Sequence, residues 1–328
     1  MSNRHAIAGF DRILRCKGNA RRLRCMGFTL LEVIVVIAAI GLLVSISLPA
    51  MQDAREATRR VQCQSNVRNV VLAFGSHESD HGHFPTNGWG WNWAGDSTKG
   101  FGRLQPGSWC FNILPYCEGE LIHSQALPLD GDRKLQISQS LPTPMGVFYC
   151  PSRRPVGAYP FTQKAYPLVN SLMPNEGAKT DYAVCAGDTI IATPLGPQDD
   201  RPQTVSSFDW RFAYRANGVA YVISTIAARD VYDGLSQTIF IGEKYLPRAH
   251  YMDGLDPGDD QSCYIGDDAD NRRWTQIPPI RDAVNQNVQG FGSPHRGVVT
   301  GFGDGSVRVL SFQIDVDVFR RMGSRYDR

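Results

Sequence analysis

Nowhere in the 328 residues do two cysteines stand as Cys-x-x-Cys, which removes the usual signatures of structural zinc and of thioredoxin-like redox chemistry. The Gly-x-Ser-x-Gly elbow of α/β-hydrolases is missing. So is the Asp-x-Asp-x-Asp-Gly spacing of an EF-hand loop, and no internal repeat or long low-complexity tract occurs. Charge is missing too. From Val33 to Met51 nineteen consecutive residues carry none. As a helix rising ~1.5 Å per residue, that run nearly covers the ~30 Å hydrocarbon layer of a bilayer.

The formal charge of +2 hides an asymmetry. Residues 1–27 hold seven Lys or Arg (Arg4, Arg12, Arg15, Lys17, Arg21, Arg22, Arg24) and one Asp, leaving 27 basic and 31 acidic residues beyond. A basic segment before an apolar helix is a topology signal that stays on the cytoplasmic side. Nucleic acid is not an expected partner. The apolar run is longer than a signal-peptide core, and no A-x-A cleavage pattern follows it around Ala50. The chain beyond it is therefore expected outside the cytoplasm. There the six remaining cysteines, Cys63, Cys110, Cys117, Cys150, Cys185 and Cys263, are disulfide candidates. Cys110 and Cys117 are the nearest pair, and a bond between them is worth about 2–3 kcal/mol.

Gly27-Phe28-Thr29-Leu30-Leu31-Glu32 stands immediately before the run. This motif resembles the N-terminal signal of type IV prepilins and type II secretion pseudopilins. With Phe28 as first mature residue, Glu32, Gly41 and Pro49 fall at the fifth, fourteenth and twenty-second positions, which recur in those families. The resemblance implies that prepilin peptidase cuts between Gly27 and Phe28 and methylates the Phe28 amine. A carboxylate in hydrocarbon costs roughly 2.5–3.5 kcal/mol, so Glu32 needs a partner. The resemblance supplies the Phe28 amine, of its own or a neighbouring subunit, with snorkelling to the headgroups as the alternative.

Past Pro49 the chain stays helical in pattern. Cys63, Val67, Val70 and Phe74 share one face, and Glu56 is spaced to pair with Arg60. The spacing predicts a helix from about Thr29 to Ser76, bent at Pro49. His77, His81 and His83, beside Glu78, Asp80 and Gly82, read as a solvated helix end. Residues 86–108 are rich in Gly and Trp. Trp89, Trp91, Trp93 and Trp109 either roof a β-domain or stack on sugars.

Further blocks resemble a large bacterial prepilin-like family, the domain of unknown function numbered 1559. They are Val61 to Pro85, Trp109 to Ile122 (a short helix), Val147-Phe148-Tyr149-Cys150-Pro151-Ser152 (a short strand), and Asp230 to Gly242-Glu243. The last is His295 followed by Asp304-Gly305, with eight intervening residues where the family has nine. Strands are expected over 181–187, 189–193, 219–225 and the end of 226–243. A hairpin is expected from 298–302 and 307–311 around Asp304-Gly305. Residues 315–322 read as a final helix docking through Val316, Val318 and Phe319.

Two tempting sites remain. Seven aspartates between Asp253 and Asp270 form an oxygen-rich stretch in which Asp259, Asp260, Asp267 and Asp268 are weak calcium candidates; otherwise no cofactor or metal is expected. His295, Asp304 and Ser306 suggest a hydrolase triad, but the turn already explains Asp304. The expected fold is α+β: a long N-terminal transmembrane helix, pilin-like, packed on an antiparallel β-sheet domain with loop insertions. The expected parts are a leader (1–27), an assembly helix (28–51), its periplasmic extension (52–84) and a globular domain (85–328). The expected role is a non-enzymatic pseudopilin-like subunit of a type II secretion or type IV pilus-like system. It would sit once through the bacterial inner membrane with its C-terminal domain periplasmic or extracellular. Its partners would be prepilin peptidase and other pilin-like subunits. The rivals are a membrane-anchored glycan-binding module and a tethered hydrolase.

Overall fold

The computed structural model describes residues 29–125, 132–283 and 289–326. Gly27 and Phe28 lie outside them. The chain divides at Asp53/Ala54 into two compact units.

In the first unit, helix α1 (Leu30–His81) begins with a cap. Thr29 N and Oγ1 donate to Glu32 Oε2 at 2.8 and 3.0 Å, and Glu32 N donates to Thr29 Oγ1 at 3.3 Å. This reciprocal Thr-x-x-Glu box satisfies helix-start donors that have no intrahelical acceptor. The helix runs unbroken through Gly41 and Pro49. Its large apolar side chains from Leu30 to Met51 are exposed all round. A helix with no polar face is built to be covered by lipid or by other helices. Among the described residues α1 is the one helix long and apolar enough to cross a membrane.

In the second unit the rest of α1 supplies one wall of the core. Cys63, Val67, Val70 and Phe74 are buried, as their spacing requires. They face a five-stranded sheet. Its strands are β3 (Tyr182–Gly187), β4 (Ile239–Glu243), β5 (Arg272–Trp274), β8 (Val298–Phe302) and β9 (Val307–Leu310), in the order β5-β3-β4-β8-β9. Pairing is antiparallel except that β5 joins β3 in parallel. Two-stranded pieces, β1 (Ala158–Pro160) with β2 (Glu176–Ala178) and β6 (Ile280–Arg281) with β7 (Gly292–Ser293), complete the strands.

Side-chain alternation sorts β3 and β8 between two apolar clusters, and in β4 a register shift between Ile239 and Ile241 sends those two residues to different clusters. Val184, Ile241 and Val299 pack with α1, Trp109 and Phe148. Cys185, Ile239, Val298 and Phe302 pack with Phe291 and Phe319. Every residue of β3, β4 and β8 is buried. Gly301 lets α1 come close, since a Cβ there would lie 2.5 Å from Val71 Cγ2. The β8–β9 hairpin turns at Gly305 with φ +82°, as the Asp-Gly pair requires.

The remaining helices are α2 (Trp109–Asn112), α3 (Glu120–Gln125), α4 (Arg133–Ser140), α5 (Pro202–Ser207) and α6 (Val316–Gly323). The expected helix over 109–122 is thus α2, a 3₁₀ turn at Leu114–Tyr116 and α3. Asp315 caps α6, and Phe319 is buried, but Val316 and Val318 stay exposed. Three expected strands are not strands. Residues 147–152 form a 3₁₀ turn at Gly146–Phe148 followed by irregular chain. Residues 189–193 and 219–225 are irregular as well. Val219, Ala220 and Val222 are apolar because they are buried, and Ile223 sits at φ +49°, which no strand accommodates.

Candidate functional site

Four residues from four segments converge against the buried face of α1: Cys63 of α1, Cys150 after the 3₁₀ turn, Glu243 ending β4, and His295 between β7 and β8. All four are buried, and their donor atoms lie within 4.8 Å of one another. The two sulfurs are 2.9 Å apart. His295 Nε2 stands 3.4 Å from Cys63 Sγ, 3.5 Å from Cys150 Sγ and 3.5 Å from Glu243 Oε1.

Each is held from behind. Glu56, one helical stretch before Cys63, accepts from His295 Nδ1 at 2.6 Å and also binds Arg59 and Ser152. Ser293 accepts from His295 N at 3.0 Å and donates to Glu243 Oε2 at 2.6 Å, and Val299 N donates to the same oxygen at 3.0 Å. Glu243 Oε1 faces the cluster and has no hydrogen-bond partner. Cys150 N donates to Asp181 Oδ2 at 2.7 Å.

Cys63 is brought down to about 6 by its hydrogen bond with Cys150, against burial and with help from His295. Burial, then the neighbouring Cys63, push Cys150 up. His295 rises to about 9: burial opposes the proton, but Cys63, Glu243 and Glu56 outweigh it. Burial lifts Glu243 to about 7. A thiolate, an imidazolium and an orienting carboxylate have the order of a nucleophilic triad. Both sulfurs are nevertheless fully buried, so no substrate carbonyl reaches them.

Behind Cys150 lies a buried ionic network absent from the sequence expectations. Arg154 Nη2 donates to Asp181 Oδ1 at 2.7 Å and to Asp259 Oδ1 at 2.9 Å. Lys244 Nζ reaches Asp259 Oδ1 at 2.9 Å, and Arg153 Nε reaches Asp282 Oδ2 at 2.9 Å. Two calcium candidates are thereby spent: Asp259 on Arg154 and Lys244, and Asp267 on Arg272. Asp260 and Asp268 gather with Asp270 instead. There burial and mutual repulsion push Asp260 up to about 9 and Asp268 to about 8.

The other expected residues are placed as follows. Asp304 binds Ser306 N within its own turn, not His295. Gly242 packs beneath Phe291. No two sulfurs are bonded among the described residues. Cys110 hydrogen-bonds with Cys263, and Cys185 faces Gly323 O at 3.5 Å. Trp89, Trp93 and Trp109 are buried, which corrects the sugar-stacking reading for those three rings. A cleft of about 470 Å³ beside Trp89 is lined by Trp210, Tyr214, Lys99 and Arg103.

The histidine expectation needs correction. α1 continues through His81, and His77 is buried among His81, His83, Phe101 and Tyr116. Its Nδ1 is 2.9 Å from His83 O, so it is the donor, and Nε2 has no partner. Burial holds His77 down to about 3 and His123 to about 4. A histidine whose folded pKa is depressed binds fewer protons folded than unfolded. Stability therefore falls as pH drops below the unfolded value of about 6.5, down to the folded value. At pH 5 His77 alone should cost about 2 kcal/mol relative to neutral pH. Chemical denaturation of wild type and His77→Gln across pH 5–8 checks this. The variant should show the shallower pH dependence, and equal slopes would refute a neutral buried His77.

A long apolar N-terminal helix carried into an α+β domain is the architecture of pilin-like proteins. The family described as "Protein of unknown function (DUF1559)" matches residues 52–317, and the chain belongs to it. Competence protein ComGC of Halalkalibacterium halodurans is 33% identical over 61 residues, 19% of this chain. The match spans 60% of that relative's length. No solved structure matches. Cys150, Glu243 and His295 stood out in the sequence as family positions, and Cys63 as a disulfide candidate. The i,i+4 spacing that points Glu56 at Arg60 is not used: Glu56 pairs with Arg59, at 2.7 Å, and with His295.

Proposed function

We propose that this protein is a pseudopilin-like structural subunit of a type II secretion or type IV pilus-like system, processed by prepilin peptidase and assembled with other pilin-like subunits. The observation that carries this is the Leu30–Met51 stretch of α1: exposed apolar side chains all round and one carboxylate, Glu32, at its start. Such a surface is stable in lipid and can exchange lipid for neighbouring helices, which is what extraction into a filament demands. The basic residues before Gly27 keep that end cytoplasmic and put the domain beyond α1 on the periplasmic or extracellular side. The role is structural, and the buried thiols give no route for a substrate.

Processing is the decisive test. Intact mass of the membrane-extracted protein should correspond to a chain beginning at Phe28 with one added methyl group. Gly27→Val should accumulate the full-length chain, because the cut needs a small residue there. Equal amounts of mature-length product from Gly27→Val would sink the reading.

A further inference from the structure

We infer that Cys63, Cys150, His295 and Glu243 form a closed, tetrahedral binding site for a zinc-class divalent metal ion. The expectation against zinc came from the missing Cys-x-x-Cys, but that signature describes ligands supplied in sequence-local pairs. Here four segments supply one ligand each, and only the fold brings them together.

Zinc binds thiolate sulfur at about 2.3 Å, imidazole nitrogen at about 2.0–2.1 Å and carboxylate oxygen at about 2.0–2.2 Å. A tetrahedron with those arms has edges of roughly 3.5 Å from nitrogen to sulfur and roughly 3.4 Å from nitrogen to oxygen. His295 Nε2 stands 3.4 and 3.5 Å from the two sulfurs and 3.5 Å from Glu243 Oε1. Three edges therefore already match. The sulfur–sulfur edge, 2.9 Å, must open by roughly 0.8 Å to reach its tetrahedral length.

The surroundings point the same way. Glu243 spends one carboxylate oxygen on Ser293 and Val299 and leaves the other buried, facing the cluster, without a hydrogen bond. An unpaired buried carboxylate oxygen is costly, and a metal ion removes that cost. Glu56 holds His295 Nδ1–H, which fixes the ring with Nε2 facing inward, free to bind once a metal ion displaces its proton, as supporting carboxylates do for metal-bound histidines. Arg153, buried near Cys150 and Glu243, offsets the negative charge that two thiolates and a carboxylate bring.

A Cys63–Cys150 disulfide is the competing use of the same sulfurs. It would engage two of the four groups and strand the other two, because bonded sulfur is a poor partner for His295 Nε2 and none for a carboxylate. The metal engages all four. With no open position the site is structural, tying α1 to the ends of β4 and β7.

The full-length protein, purified in mild detergent without chelator, should contain one zinc-class ion per chain by inductively coupled plasma mass spectrometry. Cys63→Ser and His295→Ala should lose it. Glu56→Gln, which only positions His295, should keep the site but weaken affinity about 10–100-fold. If the ligand variants fail to fold, wild type decides. After chelation and addition of Co²⁺ alone, it should show a thiolate-to-cobalt charge-transfer band and tetrahedral d–d bands. Absence of both the native ion and the cobalt bands would overturn the site. So would an intact mass two hydrogens short with a peptide bridging Cys63 and Cys150. Either result leaves the processing test at Gly27 untouched.

Discussion

Asp259→Ala should cost about 3–5 kcal/mol of stability, roughly 6–20 °C in melting temperature for a unit of this size. The reason is electrostatic rather than steric. The Asp259 carboxylate is buried and held well below its ordinary range: burial opposes the charge, but Arg154 and Lys244 outweigh it. Removing it leaves Lys244 with backbone carbonyls of Gly258 and Asp270 and Arg154 with Asp181. Lys244, buried and stripped of its carboxylate, has no water to turn to, and Arg154 is left with one of its two counter-ions. Arg211→Ala, which breaks an exposed pair with Asp209, serves as the control and should leave the melting temperature unchanged. Thermal unfolding of the two variants side by side is the measurement. Equal melting temperatures would show that the network carries no net stability.

That network marks where the sequence stopped being legible. The buried face of α1 was readable because helical spacing is local: Cys63, Val67, Val70 and Phe74 must share a side. The β8–β9 hairpin was readable because Asp304-Gly305 demands a tight turn. Arg153-Arg154, by contrast, looks like any exposed basic pair. Nothing nearby announces that Asp259, 105 residues away, will meet Arg154. The candidate site has the same character. Cys150 lies 87 residues from Cys63 and 145 from His295, so each was visible and their meeting was not. Residues 219–225 failed for a different reason. Buried irregular chain and buried strand have the same apolar composition, and only backbone geometry separates them. The Thr29–Glu32 capping box belongs with the legible features, since Thr-x-x-Glu before an apolar run is a recognisable helix start.

That box sharpens the expected behaviour of Glu32. Glu32→Ala should leave membrane insertion and cleavage intact while sharply reducing recovery of cross-linked oligomers or filaments. Its carboxylate has two available tasks. One is local: Oε2 accepts from Thr29 N and Oγ1, a neutral service to the helix start. The other is the proposed pairing with the Phe28 amine, which matters once neighbouring helices replace lipid and the side chain loses its escape to the headgroups. In that dry setting an uncompensated charge costs about 3–5 kcal/mol, equivalent to a loss of roughly two to four orders of magnitude in association. Glu32→Gln separates the tasks, because its amide oxygen still accepts from Thr29 but carries no charge. If pairing drives assembly, Gln fails as Ala does. If capping alone matters, Gln assembles like wild type. In-membrane cross-linking of the three proteins at equal expression reads the difference. Wild-type yields from both variants would leave Glu32 no part in assembly and reduce α1 to an anchor.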